Sequence, residues 1–451
     1  MKTLNARTCL RVAVLLAAAS CCVLTQAQTL TTLHNFTGAN GDGEVPYAQN
    51  LPIDANGAIY GTTAGGGNTQ WGTVFQLVPP TKQGGAWAEN VIYTFQGNAD
   101  GAQPQSGLVF DQIGNLYGAT MFGGNPSACG GGCGTIYELS PPAQPGGTWT
   151  HTVLYTFGGG FDGFRPGAVV FGPNGSLFGT TQQGGAQTIH CVTQYPRVMY
   201  GCGTVYELAP PAKRGGSWTK TILHTFPGET NDGQNPGGSE LVFDSQGNLY
   251  GIAGNGIFAA SRYGIVFQLT PHSGGSRAWT ENILHFFSGG SDGGYPGGGL
   301  TLGPNGTIYG VASTTDASNS LSLSGAVYEL TESGGVWTET VLHTFPAFAG
   351  DGTQPGSTLA LDSSGNLYGT TDFGGTTNCT TPLQGDEGCG TVFKLAPPSG
   401  GGGWTETVLQ NWPNNGQFPY ETRVVLHNGL LYGTADMLGT EALGLAFSLT
   451  P

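Results

Sequence analysis

Short apolar runs rich in β-branched and aromatic residues recur along the whole chain, separated by glycine, proline, asparagine and aspartate. Runs of this length and composition predict β-strands bounded by tight turns. One phrase, Leu/Ile-Tyr/Phe-Gly, occurs seven times. Its aromatic positions are Tyr60, Tyr117, Phe178, Tyr250, Tyr309, Tyr368 and Tyr432. Such self-similarity at a spacing of 57 to 72 residues indicates seven repeats of one structural unit.

Each repeat contains four strand-forming runs, which we call A, B, C and D. In the fourth repeat, strand A is residues 241–243, and a tight turn at 244–248 leads to strand B at 249–251. Strand C has the form Val-Phe-Gln-Leu and ends at Leu269, and strand D opens with Trp279. Glycine and asparagine in the A–B turn supply the positive φ that such hairpins require.

Four strands per repeat and seven repeats predict an all-β fold, a seven-bladed β-propeller of four-stranded antiparallel blades. A β-helix is the alternative, but its coils are usually much shorter. The seventh repeat ends at Pro451, after strand C, whereas residues 29–36 match the end of strand D, as in 341–345. We therefore expect the N-terminal strand to complete the last blade and to close the ring, which removes an open sheet edge.

The composition supports a folded, turn-rich chain. Glycine supplies 81 of 451 residues, and each interior helical glycine costs ~1 kcal/mol relative to alanine, so long helices are disfavoured. Hydrophobic residues at 38% and aromatic residues at 10% argue against disorder. A collagen-like chain is excluded because glycine does not recur at every third position.

The first 27 residues are typical of a secretory signal peptide. Lys2, Arg7 and Arg11 precede the apolar stretch 12–24, which is too short to span a bilayer comfortably. We expect cleavage before Gln28, leaving 28–451 as a single extracellular domain without a transmembrane segment. A poor lipobox ending at Cys21 offers lipid anchoring as a minor alternative.

The charge balance excludes several partners. The net charge is −15, and without the three basic leader residues 10 basic residues face 28 acidic ones, a net charge of −18. Phosphate-dependent nucleic-acid binding requires the opposite sign, as does docking on an anionic membrane. We expect a monomer whose partner is a polysaccharide or a cell-surface protein.

Six cysteines follow the leader and form three close pairs. These pairs are Cys129/Cys133, Cys191/Cys202 and Cys379/Cys389. Exported chains meet an oxidising environment, which favours three local disulfides. A zinc site is the alternative, but zinc needs four ligands in one place, and the pairs lie in three different repeats.

Four phrases of the repeat together carry a family resemblance. They are Asp-Gly-x-x-Pro, Gly-Asn-Leu-Tyr-Gly-Thr-Thr at 365–371, Gly-Thr-Val-Phe, and Trp-Thr-Glu-Thr-Val-Leu at 404–409. The chain resembles the GloVer tandem-repeat proteins, secreted bacterial proteins with varied surface anchors, over residues 30–451. The resemblance implies export and a repeat fold, with no established activity, cofactor or catalytic residue. No sorting tail follows Pro451, which favours free secretion over anchoring.

The expected binding surface is the face that carries the B–C and D–A connections. The B–C loops vary most and contain all three cysteine pairs, and variable loops on a rigid scaffold usually carry binding. Aromatic and basic residues that depart from the repeat are the candidates. They are His190, Tyr195, Arg197, Tyr200, Phe161, Arg165 and Trp71. Aromatic faces with polar neighbours suit sugars; the alternative is that these side chains pack their own loops.

Two recurring features have structural interpretations. One acidic or amide residue per repeat opens the Asp-Gly-x-x-Pro phrase: Asp42, Asp100, Asp162, Asp232, Asp292, Asp351 and Asn415. A cation-binding ring at the channel mouth is one interpretation, but recurrence in every repeat favours a turn. His34, His224, His285 and His343 share one slot of strand D that holds tyrosine or glutamine elsewhere. We therefore expect structural histidines and no metal site.

No catalytic phrase is present, and function stays open between three classes. The first is a secreted module that binds polysaccharide or a surface protein. The second is a carbohydrate-active hydrolase or lyase, since a glycosidase needs only two suitably placed carboxylates. Its candidate acids are Asp316, Asp372, Asp386, Glu387 and Asp436. The third is a purely structural envelope protein.

Overall fold

Seven antiparallel sheets follow one another along the chain, and each is one blade of a β-propeller. Successive blades are in contact, and the last blade contacts the first, so the ring is closed. The computed structural model describes residues 28–451 except 48–49, 83, 145, 187–190, 192–200, 214, 228–231, 238–239, 255–262, 273–278, 315–323, 347–349, 376–379, 382–384, 387, 401, 413–422 and 437–442. The predicted leader, 1–27, lies outside the described residues.

The strands come in the order A to D within each blade, except that the outer strand of blade 7 comes first in the chain as β1 (Leu30–Asn35). Blade 1 consists of β2 (Gly43–Tyr47), β3 (Ile59–Gly66), β4 (Thr73–Val78) and β5 (Ala88–Thr94). Blade 2 consists of β6 (Val109–Phe110), β7 (Leu116–Thr120), β8 (Thr135–Ser140) and β9 (Thr150–Thr156). Blade 3 consists of β10 (Phe164–Phe171), β11 (Leu177–Gln183), β12 (Thr204–Ala209) and β13 (Thr219–Thr225). Blade 4 consists of β14 (Val242–Phe243), β15 (Leu249–Ala253), β16 (Ile265–Pro271) and β17 (Trp279–Phe286). Blade 5 consists of β18 (Gly294–Leu302), β19 (Ile308–Thr314), β20 (Gly325–Ser333) and β21 (Val336–Phe345).

Blade 6 has a divided inner strand, because two short segments both pair with strand B. Its elements are β22 (Gly352–Pro355), β23 (Ala360–Leu361), β24 (Leu367–Gly374), the hairpin β25 (Thr380–Thr381) and β26 (Gly385–Asp386), β27 (Thr391–Ala396) and β28 (Thr405–Asn411). Blade 7 consists of β29 (Arg423–His427), β30 (Leu430–Ala435), β31 (Leu445–Leu449) and β1. Two turns of 3₁₀-helix, Gly160–Asp162 and Pro304–Gly306, are the helical elements of the described residues.

The N-terminal strand closes the ring as predicted. β1 pairs antiparallel with β31 from Leu30 opposite Leu449 to Asn35 opposite Leu445. Its register shifts between Thr32 and His34, at the point where strands C and D of the other six blades also shift. The shared irregularity shows that β1 is a true strand D and not an added edge.

The core is divided among the boundaries between blades, which we call seams and number by the two blades that meet. Seven buried apolar clusters occur, one at each seam. The tryptophan that opens strand D packs edge-on against the strand-B aromatic of the preceding blade, at centroid distances of 6.0 to 6.4 Å. The pairs are Trp87–Tyr432, Trp149–Tyr60, Trp218–Tyr117, Trp279–Phe178, Trp337–Tyr250 and Trp404–Tyr309. These tryptophans therefore pack neighbouring blades against each other.

The Asp-Gly-x-x-Pro phrase leads from the D–A connection into the inner strand. Its x-x-Pro part lies in strand A in blades 1, 3, 5 and 6, within β2, β10, β18 and β22. The residue before the proline has a positive φ between 51° and 56° in six blades. These residues are Val45, Gln103, Arg165, Asn235, Tyr295 and Gln354. Glycine and proline suggested a loop, but here they allow the inner strand to start with a sharp bend.

A repeated contact joins this bend to the preceding blade. The backbone N–H of Arg165 donates to the Cys133 carbonyl at 3.0 Å, and Asn235 donates to Cys202 in the same way at 2.6 Å. The following proline lies against the glycine that precedes strand C of the preceding blade. A Cβ added at Gly203, for example, would lie 2.4 Å from Pro236 Cδ. We call this contact the glycine–proline contact.

The inner strands face each other across a central channel. Arg423 of blade 7 donates to Glu240, at the inner edge of blade 4, with Nη2 to Oε2 at 2.7 Å. Asn50 of blade 1 donates from Nδ2 to the other oxygen of the same carboxylate at 3.3 Å. Because residues from blades 1, 4 and 7 meet here, this network braces the ring from within.

We expect Arg423→Ala to lower the free energy of unfolding by ~2–3 kcal/mol, because it leaves a largely buried carboxylate without its cation. The side chains of Arg423 and Glu240 are only 11% and 17% exposed. The double variant Arg423→Ala, Glu240→Gln should recover part of this loss. Urea unfolding of both variants tests the brace, and equal losses in both would contradict it.

Candidate functional site

The loop-rich face, formed by the B–C and D–A connections, presents one variable side chain from each of blades 1 to 6 in the described part of the chain. These are the six residues that precede the inner-strand prolines, and we call them the pre-proline ring: Val45, Gln103, Arg165, Asn235, Tyr295 and Gln354. Each is at least partly exposed, whereas the proline that follows each of them is buried. The bend therefore holds these side chains at the surface while the backbone on one side stays packed.

Ring side chains extend over the B–C loop of the preceding blade. The Arg165 guanidinium carbon lies 5.3 Å from the centre of the Phe122 ring, within cation–π distance. The ring of Tyr295 lies 6.1 Å from that of Tyr263 in an edge-on arrangement. These contacts fix the direction of the Arg165 and Tyr295 side chains, so that this part of the face is preorganised.

Two further predicted residues lie on this face. Phe161 is 70% exposed on the 3₁₀ turn just before Arg165. Trp71 is 43% exposed, and one side of its indole packs so closely on Gly97 that a Cβ there would lie 2.4 Å from Nε1. Trp71, in the B–C loop of blade 1, thus packs on the D–A connection that follows β5 and still offers an aromatic surface.

The remaining predicted ligand residues, His190, Tyr195, Arg197 and Tyr200, lie outside the described residues. Disulfides join Cys129 to Cys133 and Cys191 to Cys202 as expected. Cys389 is also disulfide-bonded, and its predicted partner Cys379 lies outside the described residues. The B–C loops of blades 2 and 3 are therefore each cross-linked by a disulfide.

Five of the six ring residues were missed by the sequence analysis, which named only Arg165. The signal that would have found them is variation inside a constant frame. In every Asp-Gly-x-x-Pro phrase the glycine and proline are fixed, whereas the residue before the proline changes from aliphatic to amide, guanidinium or phenol.

The aspartates that open this phrase do not form a ring at the channel mouth. Asp162 accepts hydrogen bonds from the Gly158 N–H and from the Tyr155 hydroxyl, both at 2.7 Å. Asp42 accepts from the Thr37 N–H at 2.7 Å. Each carboxylate thus closes its own D–A turn and reaches the outer strand, which supports the turn interpretation.

The histidine slot of strand D lies beside these aspartates at the outer part of each seam. Across the seam, the third residue of the tryptophan-led phrase of the next blade, two residues after the tryptophan, joins the group. The resulting outer seam clusters are His34–Asp42–Glu89, Tyr93–Asp100–His151, Tyr155–Asp162–Lys220, His224–Asp232–Glu281, His285–Asp292–Glu339 and His343–Asp351–Glu406. Histidine in the slot always faces glutamate across the seam, whereas tyrosine faces a basic residue.

Burial perturbs these clusters. It raises the pKa of Glu89, Glu281, Glu339 and Glu406 to about 7. Burial also lowers the pKa of His151 to about 4. Burial in these clusters therefore removes solvating water from the side chains and disfavours their charged forms.

The acids proposed for an enzyme are scattered. Asp372 lies in β24, and Asp436 directly follows β30, so these two belong to adjacent blades. Asp316, Glu387 and the side chain of Asp386 lie outside the described residues. The pre-proline ring itself contains no carboxylate.

A groove of about 1240 Å³ lies on the opposite face, between blades 4 and 5. Its wall includes Trp337 and a hydrogen-bond chain in which Asp244 accepts from Tyr250, and Gln268 donates to the same Tyr250 hydroxyl. The same chain of residue types occurs in blade 1, at Asp54, Tyr60 and Gln76. Its repetition indicates a structural role within blades.

No helix among the described residues is long and apolar enough to cross a membrane.

Solved structures with a similar fold include three at low identity. Polysaccharide lyase Uly1 matches with 12% identity, 92% of each chain and a TM-score of 0.48. The α-L-arabinanase of Penicillium chrysogenum matches with 13% identity, 76% of this chain, 91% of that chain and a TM-score of 0.43. The luciferin-regenerating enzyme matches with 12% identity, 94% of this chain, 95% of that chain and a TM-score of 0.42. Likeness at this level concerns the fold alone.

The repeat itself identifies the family. No curated protein matches the chain. The family model described as the Gloeobacter/Verrucomicrobia repeat, in contrast, matches residues 22–195 and again residues 188–381. Together with the seven blades, these two matches show that the chain belongs to the Gloeobacter/Verrucomicrobia repeat family.

Proposed function

We propose that this chain is a secreted binding module that holds neutral polysaccharide on its loop-rich face. The observation that carries the proposal is the pre-proline ring, six varied side chains held at the surface by a constant backbone bend. A constant backbone bend that presents a different exposed side chain in each of blades 1 to 6 suits recognition, because each of these blades contributes one contact of its own chemistry.

The side chains of the ring match the chemistry of a neutral sugar polymer. Tyr295 of blade 5 and Phe161, which lies just before strand A of blade 3, offer aromatic faces for the apolar side of a sugar ring. Gln103, Asn235 and Arg165 offer amide and guanidinium donors for hydroxyl groups. Because the backbone bend and the contacts over the preceding blade restrict these side chains, little conformational entropy remains to be lost on binding.

Charge favours a neutral polymer over an acidic one. The mature chain carries a large net negative charge, and Arg165 is the single cation of the ring. Export fits the disulfides of the B–C loops, which are typical of oxidising compartments.

The test is a glycan and polysaccharide array probed with residues 28–451, with the recovered glycans analysed by mass spectrometry. Binding without new products is the expected result. New products would replace the proposal by a carbohydrate-active enzyme and would direct mutagenesis to Asp372 and Asp436. Neither binding nor products would contradict it and would favour a protein partner or a structural role.

A further inference from the structure

Two outer seam clusters bring an imidazole and two carboxylates from neighbouring blades to one point. At seam 3/4, His224 Nε2 lies 3.4 Å from Asp232 Oδ2 and 3.4 Å from Glu281 Oε1. At seam 7/1, His34 Nε2 lies 3.4 Å from Asp42 Oδ1, with Glu89 completing the group. Within each cluster the three ligand atoms lie within 4.8 Å of one another.

These separations are long for hydrogen bonds between charged groups, which are usually ~2.7–2.9 Å. They fit the spacing of ligands around a small metal ion, because atoms bound ~2.1 Å from a tetrahedral zinc ion lie ~3.4 Å apart. His224 Nε2, Glu281 Oε1 and Glu89 Oε1 are shielded from solvent and form no hydrogen bond, and the same holds for His285 Nε2, Glu339 Oε1 and Glu406 Oε1 at the other two histidine seams. Buried atoms of this kind normally have a partner, and the spacing of the three ligand atoms singles out seams 3/4 and 7/1 among these clusters.

Seam 2/3 shows that the aspartate of an outer seam cluster pairs with a cation. There the place of Glu281 is taken by Lys220, whose ammonium group donates to Asp162 Oδ1 at 2.8 Å. The same ammonium lies 5.6 Å from the centre of the Tyr155 ring. At seam 2/3 the ammonium group of Lys220 thus supplies a cation to the recurring aspartate. At seams 3/4 and 7/1 a glutamate occupies the position of Lys220, so the aspartate faces a second carboxylate instead.

We propose that seams 3/4 and 7/1 each bind one divalent metal ion of the zinc class through one histidine, one aspartate and one glutamate. The nitrogen ligand and the small number of protein ligands favour zinc over calcium or magnesium, which take more oxygen ligands. Solvent completes the coordination. Each ion would fasten two neighbouring blades near their outer strands, and its binding would stabilise the folded chain by mass action.

This proposal replaces the expectation that the histidines are structural only. Taken by itself, the slot holds tyrosine or glutamine in other blades, which is unusual for a metal-ligand position. Across the seam, however, tyrosine is matched by His151 or Lys220 and never by glutamate. The slot holds histidine only where a second carboxylate requires a cation.

The other two histidine seams provide internal controls. His285 and His343 approach their aspartates at 3.4 and 3.3 Å, as in the proposed sites. Of the clusters in the described part of the chain, however, only those of seams 7/1 and 3/4 bring three ligand atoms within 4.8 Å. At seam 4/5 Ser288 donates to both oxygens of the Asp292 carboxylate, from its N–H to Oδ2 at 2.8 Å and from its hydroxyl to Oδ1. At seam 7/1, in contrast, both Thr37 donors reach Oδ2 of Asp42, and Oδ1 faces His34.

The experiment measures zinc retained by untagged protein, residues 28–451, after treatment with a chelator and dialysis against micromolar Zn²⁺. We expect two ions per chain by elemental mass spectrometry, one for each cluster. His224→Gln and His34→Gln should each retain one ion fewer, and glutamine is suited to the slot because Gln410 occupies it naturally. His285→Gln should retain both ions.

A matched variant keeps the test independent of folding defects. His224→Tyr combined with Glu281→Lys recreates the side chains of seam 2/3, and it should fold and retain a single ion. Circular dichroism verifies the fold, and zinc should raise Tm less in this variant than in the wild type. Failure of the wild type to retain zinc would overturn the proposal, as would equal retention by all histidine variants.

Discussion

Gly203→Ala is expected to lower the free energy of unfolding by at least ~3 kcal/mol, because strain and overpacking add at this position. Gly203 has a φ of 103°, which side chains rarely adopt. A Cβ there would lie 2.4 Å from Pro236 Cδ in the next blade and 2.4 Å from the Thr181 carbonyl oxygen in its own blade. Both neighbours are held in the sheet framework, so neither can move away without opening the seam.

Gly175→Ala is the matched control for this prediction. Gly175 also has a positive φ, 74°, but a Cβ there would meet no atom within 4 Å. Gly175→Ala should therefore lower the free energy of unfolding only by the cost of placing alanine at a positive φ, ~1 kcal/mol. Urea unfolding of both variants separates the contact from the conformation. Equal destabilisation by the two substitutions would show that the glycine–proline contact does not hold the blades together.

Phe36→Ala is expected to cost ~3–5 kcal/mol, as for other fully buried phenylalanines. Phe36 is fully buried directly after β1, and its ring centre lies 5.0 Å from that of Phe75 in blade 1. Its N–H donates to the Gly444 carbonyl of blade 7 at 2.9 Å. One residue therefore ties the N-terminal strand to both blades that meet at the closure of the ring.

Thr32→Ala provides the comparison on the same strand. Thr32 is exposed in the middle of β1, and its replacement should change stability by less than ~0.5 kcal/mol. Thermal and urea unfolding measure both variants. A Phe36→Ala protein as stable as the Thr32→Ala protein would mean that closure through β1 contributes little to the stability of the ring.

The blade count and the closure by β1 were predictable because they depend on patterns within one repeat. Apolar spacing and turn residues fix strands B and C locally, and the match between residues 29–36 and 341–345 reveals the displaced strand D. The inner strand was harder to predict. A residue such as Arg165, which has a positive φ immediately before a proline, is disfavoured in isolation and is held by its hydrogen bond to Cys133 of another blade.

Features that combine two repeats were the least predictable. The outer seam clusters join His224 to Glu281 across a boundary, so a comparison of one column of the repeat at a time does not reveal them. The pairing of histidine with glutamate is nevertheless visible in the sequence once the packing of the blades shows that these two repeat positions meet across a seam. The pre-proline ring was missed for a similar reason, since its exposure depends on a bend that the sequence alone did not indicate.

The central claim, that the pre-proline ring binds polysaccharide, is tested most directly by titration calorimetry with the neutral polysaccharide that binds most strongly on the array. The account predicts that Tyr295→Ala weakens binding by about tenfold or more, as for an aromatic anchor. Ile113→Ala, which removes a more exposed apolar side chain from the opposite face (79% exposed, against 38% for Tyr295), should leave the affinity within about twofold of the wild type. Unchanged affinity in Tyr295→Ala, together with a loss in Ile113→Ala, would place binding on the opposite face and contradict the claim.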